Sequence, residues 1–98
     1  MSEFDYKQLD EIIHSRIRLA IMSVLVAVGN AEFTFLKAKV KATDGNLSVH
    51  LKKLEDAHYI AVKKEFINRK PVSTYSLTPK GKKAFRVYVE TLEHLVGK

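Results

Sequence analysis

The stretch "TDGNLSVHLKKLEDAHYI", Thr43 to Ile60, opens with residues suited to a turn and continues as a helix. At about 100° per residue, Leu47, Leu51, Leu54 and His58 fall together on one side, with His50 and Ala57 flanking them. That side is built for a core. Gly45, Ser48, Val49, Lys52 and Lys53 point roughly the other way, and this face has no acid until Asp56. An ordinary surface helix mixes Glu with Lys there. The first half of the face is small enough to enter a groove, and the partly positive N-terminus of a helix suits phosphate. Direct readout in the DNA major groove needs a helix of this kind.

Just upstream, Phe35 to Lys41 reads as a short helix with Thr34 as its cap, and Thr43 caps the next one across Ala42. Two helices joined so closely make a helix-turn-helix, at about 34–58. Before it, Tyr6 to Ile13 places Leu9, Ile12 and Ile13 on one helical face. Ser15 caps a second helix, about Arg16 to Val28, apolar over much of its circumference, which Gly29-Asn30 ends by a left-handed exit. "AEFTF" offers a very short strand.

After Tyr59 the period changes to two. "IAVKKEFI" puts Ile60, Val62 and Phe66 on one face, "NRKP" supplies a turn with Arg69 and Lys70 at its tip, and "VSTYSL" returns as a second strand. The result is a hairpin over about 60–77 with a cationic tip. Thr78-Pro79 reads as cap and first position of a last helix, about 79–96. Phe85, Tyr88, Val89, Leu92, Leu95 and Val96 form its apolar stripe, wider than one neighbour in a small domain requires.

The 98 residues amount to a single domain, 1–98, with formal net charge +6. Between Lys37 and Arg86 stand thirteen Lys/Arg against four Asp/Glu, a net of +9; the remainder carries four basic and seven acidic groups, a net of −3. A concentrated cationic region favours a polyanionic partner. The absence of cysteine excludes disulfides and thiolate metal sites. The opening "MSEFDY" is acidic, unlike a secretory signal, and the most apolar run, Leu19 to Val28, is far short of the roughly 20 residues of a membrane span. These features describe a soluble, cytoplasmic protein with no membrane partner.

Helices, helix-turn-helix, two-stranded wing and closing helix together resemble the compact winged-helix transcriptional regulators related to the MarR and ArsR families. The resemblance runs from "SRIRLAIMSVL" to "FINRKPVSTYSLTPKGKKAF". Its most specific pieces are Thr43 to Ser48 with His50-Leu51, and Pro71, Ser73, Tyr75, Leu77 and Thr78 with Gly81. It implies a mainly α fold with a small β-hairpin, dimerised by N- and C-terminal helices. It implies recognition helices in adjacent major grooves of double-stranded DNA, and wing tips on the flanking backbone or minor groove. The residues so placed are Thr43, Gly45, Asn46, Ser48, Val49, His50, Lys52 and Lys53 on the helix, and Arg69 and Lys70 on the wing. The chain departs from the group at "AHY", where "AGY" is usual; His58 then has to serve a left-handed helix exit.

His50 reads as a packing residue that also donates a hydrogen bond near bound DNA. Glu90 and His94 are spaced one helical turn apart, but two ligands do not make a metal site, so no metal or other cofactor is expected. No phosphate-binding glycine loop or nucleophile elbow occurs, and Ser48 and His50 do not face each other, so an enzyme is not expected. Leu9, Ile12, Phe85, Tyr88, Leu92 and Leu95 are the candidate seam of a homodimer, against the alternative that they are ordinary core. Two functions stay open: a DNA-binding transcriptional regulator, or a winged helix serving as a protein-interaction or structured-RNA module. Nothing in the sequence identifies a small-molecule effector.

Overall fold

Residues 5–97 are described by the computed structural model; most of the acidic opening, Met1 to Phe4, therefore lies outside the described residues. Three local caps set the helices. The Ser15 hydroxyl accepts from the Arg18 N–H and starts α1, Arg16–Val28. Thr43 accepts from the Asn46 N–H at 3.2 Å and starts α3, Asp44–Asp56. Thr78 accepts from the Gly81 N–H at 2.9 Å and starts α4, Pro79–Leu95, with proline in the first turn, where a missing N–H does no harm. Gly29 closes α1 at φ +84° and ψ −64°, a positive φ that glycine adopts freely, although this ψ lies outside the usual left-handed helical well.

Elsewhere the elements differ from the expected ones. The segment from Tyr6 to Ile13 is not an α-helix. It is a 3-10 turn, Tyr6–Gln8, followed by a loop in which an Asp10 carboxylate oxygen accepts from the N–H groups of Ile12 and Ile13. A short polar side chain here competes with the helix for backbone donors. Thr34 caps nothing: α2 is Phe33–Val40, preceded by Glu32 with no side-chain cap bond, and Thr34 lies within its first turn. The short strand is real but shifted. Residues Asn30–Glu32 form β1, and with β2, Ile60–Ile67, and β3, Lys70–Leu77, they make a three-stranded antiparallel sheet in the order β1-β3-β2. Ala31 pairs with Tyr75, and Tyr75 with Val62. The hairpin turn is tighter than "NRKP" implies. Only Asn68 and Arg69 lie outside the strands, both at positive φ, as in a mirror-image two-residue turn; Lys70 and Pro71 already belong to β3.

One core joins the parts. Ile13, Ile21, Met22, Leu25, Leu36, Leu47 and Leu54 are fully buried, with Ala31, Leu51, Ile60, Tyr75 and Tyr88 around them. The three leucines of α3 thus pack as their spacing predicts, against α1, α2 and the base of the sheet. Among the described residues no buried side-chain polar atom lacks a hydrogen-bond partner, and no helix is long and apolar enough to cross a membrane.

Candidate nucleic-acid interface

The helix-turn-helix consists of α2, a turn at 41–43, and α3. Lys41 takes a left-handed conformation, φ +59° and ψ +41°, which reverses the chain in so few residues. Thr43, Gly45, Asn46, Ser48, Val49, Lys52 and Lys53 are all exposed, on the side of α3 away from its buried leucines. His50 is half-buried at the edge of this face. The Thr43 hydroxyl is engaged by the Asn46 backbone N–H in the cap, while the Asn46 side chain stays exposed with the other positions of the face.

Two carboxylates near this face are ion-paired, and a third, Glu55, is half-buried and acts on Lys52 through its charge alone. Asp44 meets Lys37 of α2 at 2.8 Å, and Asp56 meets Lys52 at 3.0 Å. That pairing, first the hydrogen bond and then the charge of Asp56, raises the Lys52 pKa. The N-terminus of α3 can therefore meet an anion without an uncompensated negative charge beside it. Among the described residues Lys53 makes no ion pair.

His50 is held from behind by Arg18, whose guanidinium donates to His50 Nδ1 at 2.8 Å and to the carbonyl of Ile12. Because arginine only donates, the ring is neutral with its proton on Nε2. Burial first, then the charges of Arg18 and Lys53, lower the His50 pKa. Sequence reasoning missed Arg18, since a pairing across 32 positions leaves no local spacing to read. Lys37 was missed as a partner of Asp44 for the same reason.

His58 is a correction. It lies past the end of α3, exposed, at φ +63°, so it does not join the leucine face; the left-handed exit expected from "AHY" is present. The exit is fastened to α4 through backbone groups. Thr78 Oγ1 donates to the His58 carbonyl at 2.6 Å, and the Thr78 N–H donates to the Tyr59 carbonyl at 3.1 Å. Gly81 sits so near that a Cβ there would lie 1.9 Å from the Tyr59 oxygen. The Tyr59 hydroxyl donates to Asp10, and burial, followed by that bond, pushes its pKa up to about 12. These contacts join the exit of α3 to the start of α4 and to the loop before α1.

On the wing, Arg69 occupies the turn and Lys70 pairs with Ile67 at the start of β3; both are exposed. Lys63 and Lys64 are exposed on β2 and extend the cationic surface toward the body, with Lys63 also 3.6 Å from Glu65. Strand alternation sends Lys63 to the outward face but assigns Lys64 to the face of Val62 and Phe66, where it stands beyond the core. Phe66 falls outside the core to which its period-two pattern would assign it and is 80% exposed.

The candidate dimer residues divide. Leu9 and Tyr88 are buried in the chain's own core, where a second copy cannot reach them; Tyr88 also bonds His14 Nδ1 at 2.8 Å. Ile12, Phe85 and Leu95 are half-buried against that core, and Leu92 is 38% exposed. On α4 the broad stripe is two stripes. Gly81, Tyr88 and Leu95 face inward; Phe85, Val89, Leu92 and Val96 centre about 70° away by helical projection, with Val96 65% exposed.

A family model described as a winged helix DNA-binding domain matches residues 17–96. An uncharacterised protein of Methanocaldococcus jannaschii is 38% identical over 79 residues, covering 81% of this chain and 86% of that protein. Among solved structures, a transcriptional regulator homologue from Pyrococcus horikoshii OT3 superposes with a TM-score of 0.83 at 24% identity, over 89% of this chain and 86% of that one. A Bacillus cereus protein described as a MarR-like transcription regulator gives 0.66 at 19% identity, over 93% and 70%. At these identities the two structures speak to the fold.

Proposed function

Since the chain belongs to the winged helix DNA-binding domain family, we propose that it regulates transcription as a homodimer bound to specific double-stranded DNA sequences. Helix α3 enters the major groove, and the wing lies on the flanking backbone or minor groove. The observation that carries this reading is the outward face of α3. Gly45, Ser48, Val49 and Lys53 stand exposed there, and the two exposed acids nearby, Asp44 and Asp56, are each paired with a lysine. Small residues permit close approach to base edges, while the cations supply phosphate contacts. Dimerisation is supported by the second stripe of α4, an apolar surface that the monomer leaves uncovered.

Selection of bound duplexes from a random pool tests this. A two-fold symmetric dimer yields a palindromic site whose half-sites lie about 10–10.5 base pairs apart, or a multiple of that. Leu92→Glu with Val96→Glu, both at exposed positions, should convert dimer to folded monomer in sedimentation equilibrium and weaken binding to the full site. A non-symmetric selected site, or unchanged mass in the double variant, contradicts the dimer.

A further inference from the structure

We propose that Phe66, backed by Pro71, is an apolar wedge that the wing inserts at a base step in the minor groove flanking the site read by α3. The idea rests on the DNA-binding reading above. It begins with an anomaly: Phe66 is 80% exposed, the most exposed of the large hydrophobic residues described. Its place in the fold explains why the domain cannot cover it. Ile60 and Tyr75 are buried at the base of the hairpin, and Val62, opposite Tyr75, is half-buried. Phe66 lies four residues farther along the same face, about 13 Å at strand rise, beyond the reach of the core.

The ring nevertheless has a defined neighbour across the hairpin. Asn68 and Arg69 form a two-residue turn, so Ile67 and Lys70 are its hydrogen-bonded closing pair. Phe66 and Pro71 are then a non-hydrogen-bonded pair, the kind in which side chains approach most closely. The same register explains how proline is tolerated in β3. Its nitrogen points away from β2, toward a side where β1 pairs no farther out than Thr74. Two rings therefore stand opposite each other near the end of the hairpin.

What surrounds them identifies the occupant. Lys64 shares their face and Arg69 lies in the adjoining turn, while Lys70, paired with Ile67, falls with Glu65 and Lys63 on the opposite face. An apolar tip flanked by Lys64 and Arg69 on a net cationic hairpin fits a polyanion with an apolar interior better than a neutral protein groove. Apolar side chains of this kind enter between base steps from the minor groove, while neighbouring cations hold the phosphates. Pyrimidine–purine steps unstack most readily, so the wedge adds a preference at flanking positions that no base-edge contact reads.

The test uses the full chain and a duplex selected by it, carrying 2-aminopurine at successive flanking positions. The unsubstituted protein should raise the fluorescence at one flanking step on each side. Phe66→Ala should abolish that rise and weaken binding by about 10- to 100-fold, the equivalent of one aromatic side chain left in water. The salt slope should stay unchanged, because no cation is removed. Phe66→Leu, still apolar, should recover part of both. If Phe66→Ala binds as tightly as the parent, or leaves the fluorescence rise intact, the wedge is overturned and the DNA-binding reading survives. If Phe66→Ala instead lowers the mass of the free protein, the ring is a contact between copies and the wedge is likewise overturned. If the parent binds no duplex, the wedge falls together with the reading it rests on.

Discussion

At φ +63°, His58 holds its Cβ against the following carbonyl, a conformation that costs an L-residue roughly 1–2 kcal/mol and glycine nothing. His58→Gly relieves that cost, while the freer unfolded chain takes back about 0.4–1 kcal/mol. Little else changes. The side chain is exposed and makes no hydrogen bond or ion pair among the described residues. Its backbone N–H donates to the Glu55 carbonyl at 2.9 Å and its own carbonyl accepts from Thr78, both of which glycine retains. The net should be a gain of roughly 0.5–1 kcal/mol. In a domain of this size each kcal/mol moves Tm by about 4–8 °C, so a rise of several degrees is expected in thermal unfolding followed by circular dichroism. Protein concentration must be held fixed, because a dimer's Tm depends on it. A clear fall in Tm would refute the reasoning: the imidazole would then have a favourable contact worth more than the left-handed strain.

Gly81→Ala should act in the opposite sense. Its Cβ would meet the Tyr59 carbonyl oxygen, a backbone atom that cannot swing away, so a loss of about 1–3 kcal/mol or more is expected in denaturant unfolding; unchanged stability would mean that α4 and the helix exit are less tightly joined. Tyr59 gives a pH signature. The folded state keeps a proton up to about pH 12 that the unfolded chain releases near 10, so its contribution is complete below pH 10 and is lost as pH rises through that window. Unfolding series at rising pH should show a shallower loss in Tyr59→Phe, and parallel curves would contradict the raised pKa of the buried, Asp10-bonded hydroxyl.

The fold was legible where local chemistry decides it. The Ser15, Thr43 and Thr78 caps and the three leucines of α3 follow from residue type and spacing, whereas the left-handed residue at 58 was implied by the family resemblance, spacing alone having set His58 among the leucines. Where two local preferences compete, the sequence was ambiguous: Leu9, Ile12 and Ile13 have helical spacing, yet Asp10 captures the backbone donors that a helix would use. Periodicity also cannot say where a core ends. Phe66 repeats the pattern of Ile60 and Val62 but stands beyond anything that could cover it, and the stripe of α4 runs together two faces that only packing separates. The candidate DNA-facing positions were readable because they are consecutive turns of one helix. Arg18, which fixes His50 from another helix, was not.

Helix and wing should divide the labour on DNA, since phosphate contacts set salt dependence and base-edge contacts set sequence preference. The direct measurement is affinity over a salt series, on the selected site and on a scrambled one, for two variants. Arg69→Ala with Lys70→Ala should weaken binding to both duplexes and flatten the salt dependence by roughly one unit of slope for each phosphate that is no longer neutralised. Altering Ser48 and Val49, by contrast, should erase or redirect the preference for the selected site and leave the slope nearly intact. If the wing variant changes preference and the helix variant changes only slope, the roles are reversed; if neither change affects binding, this surface is not where the chain meets DNA.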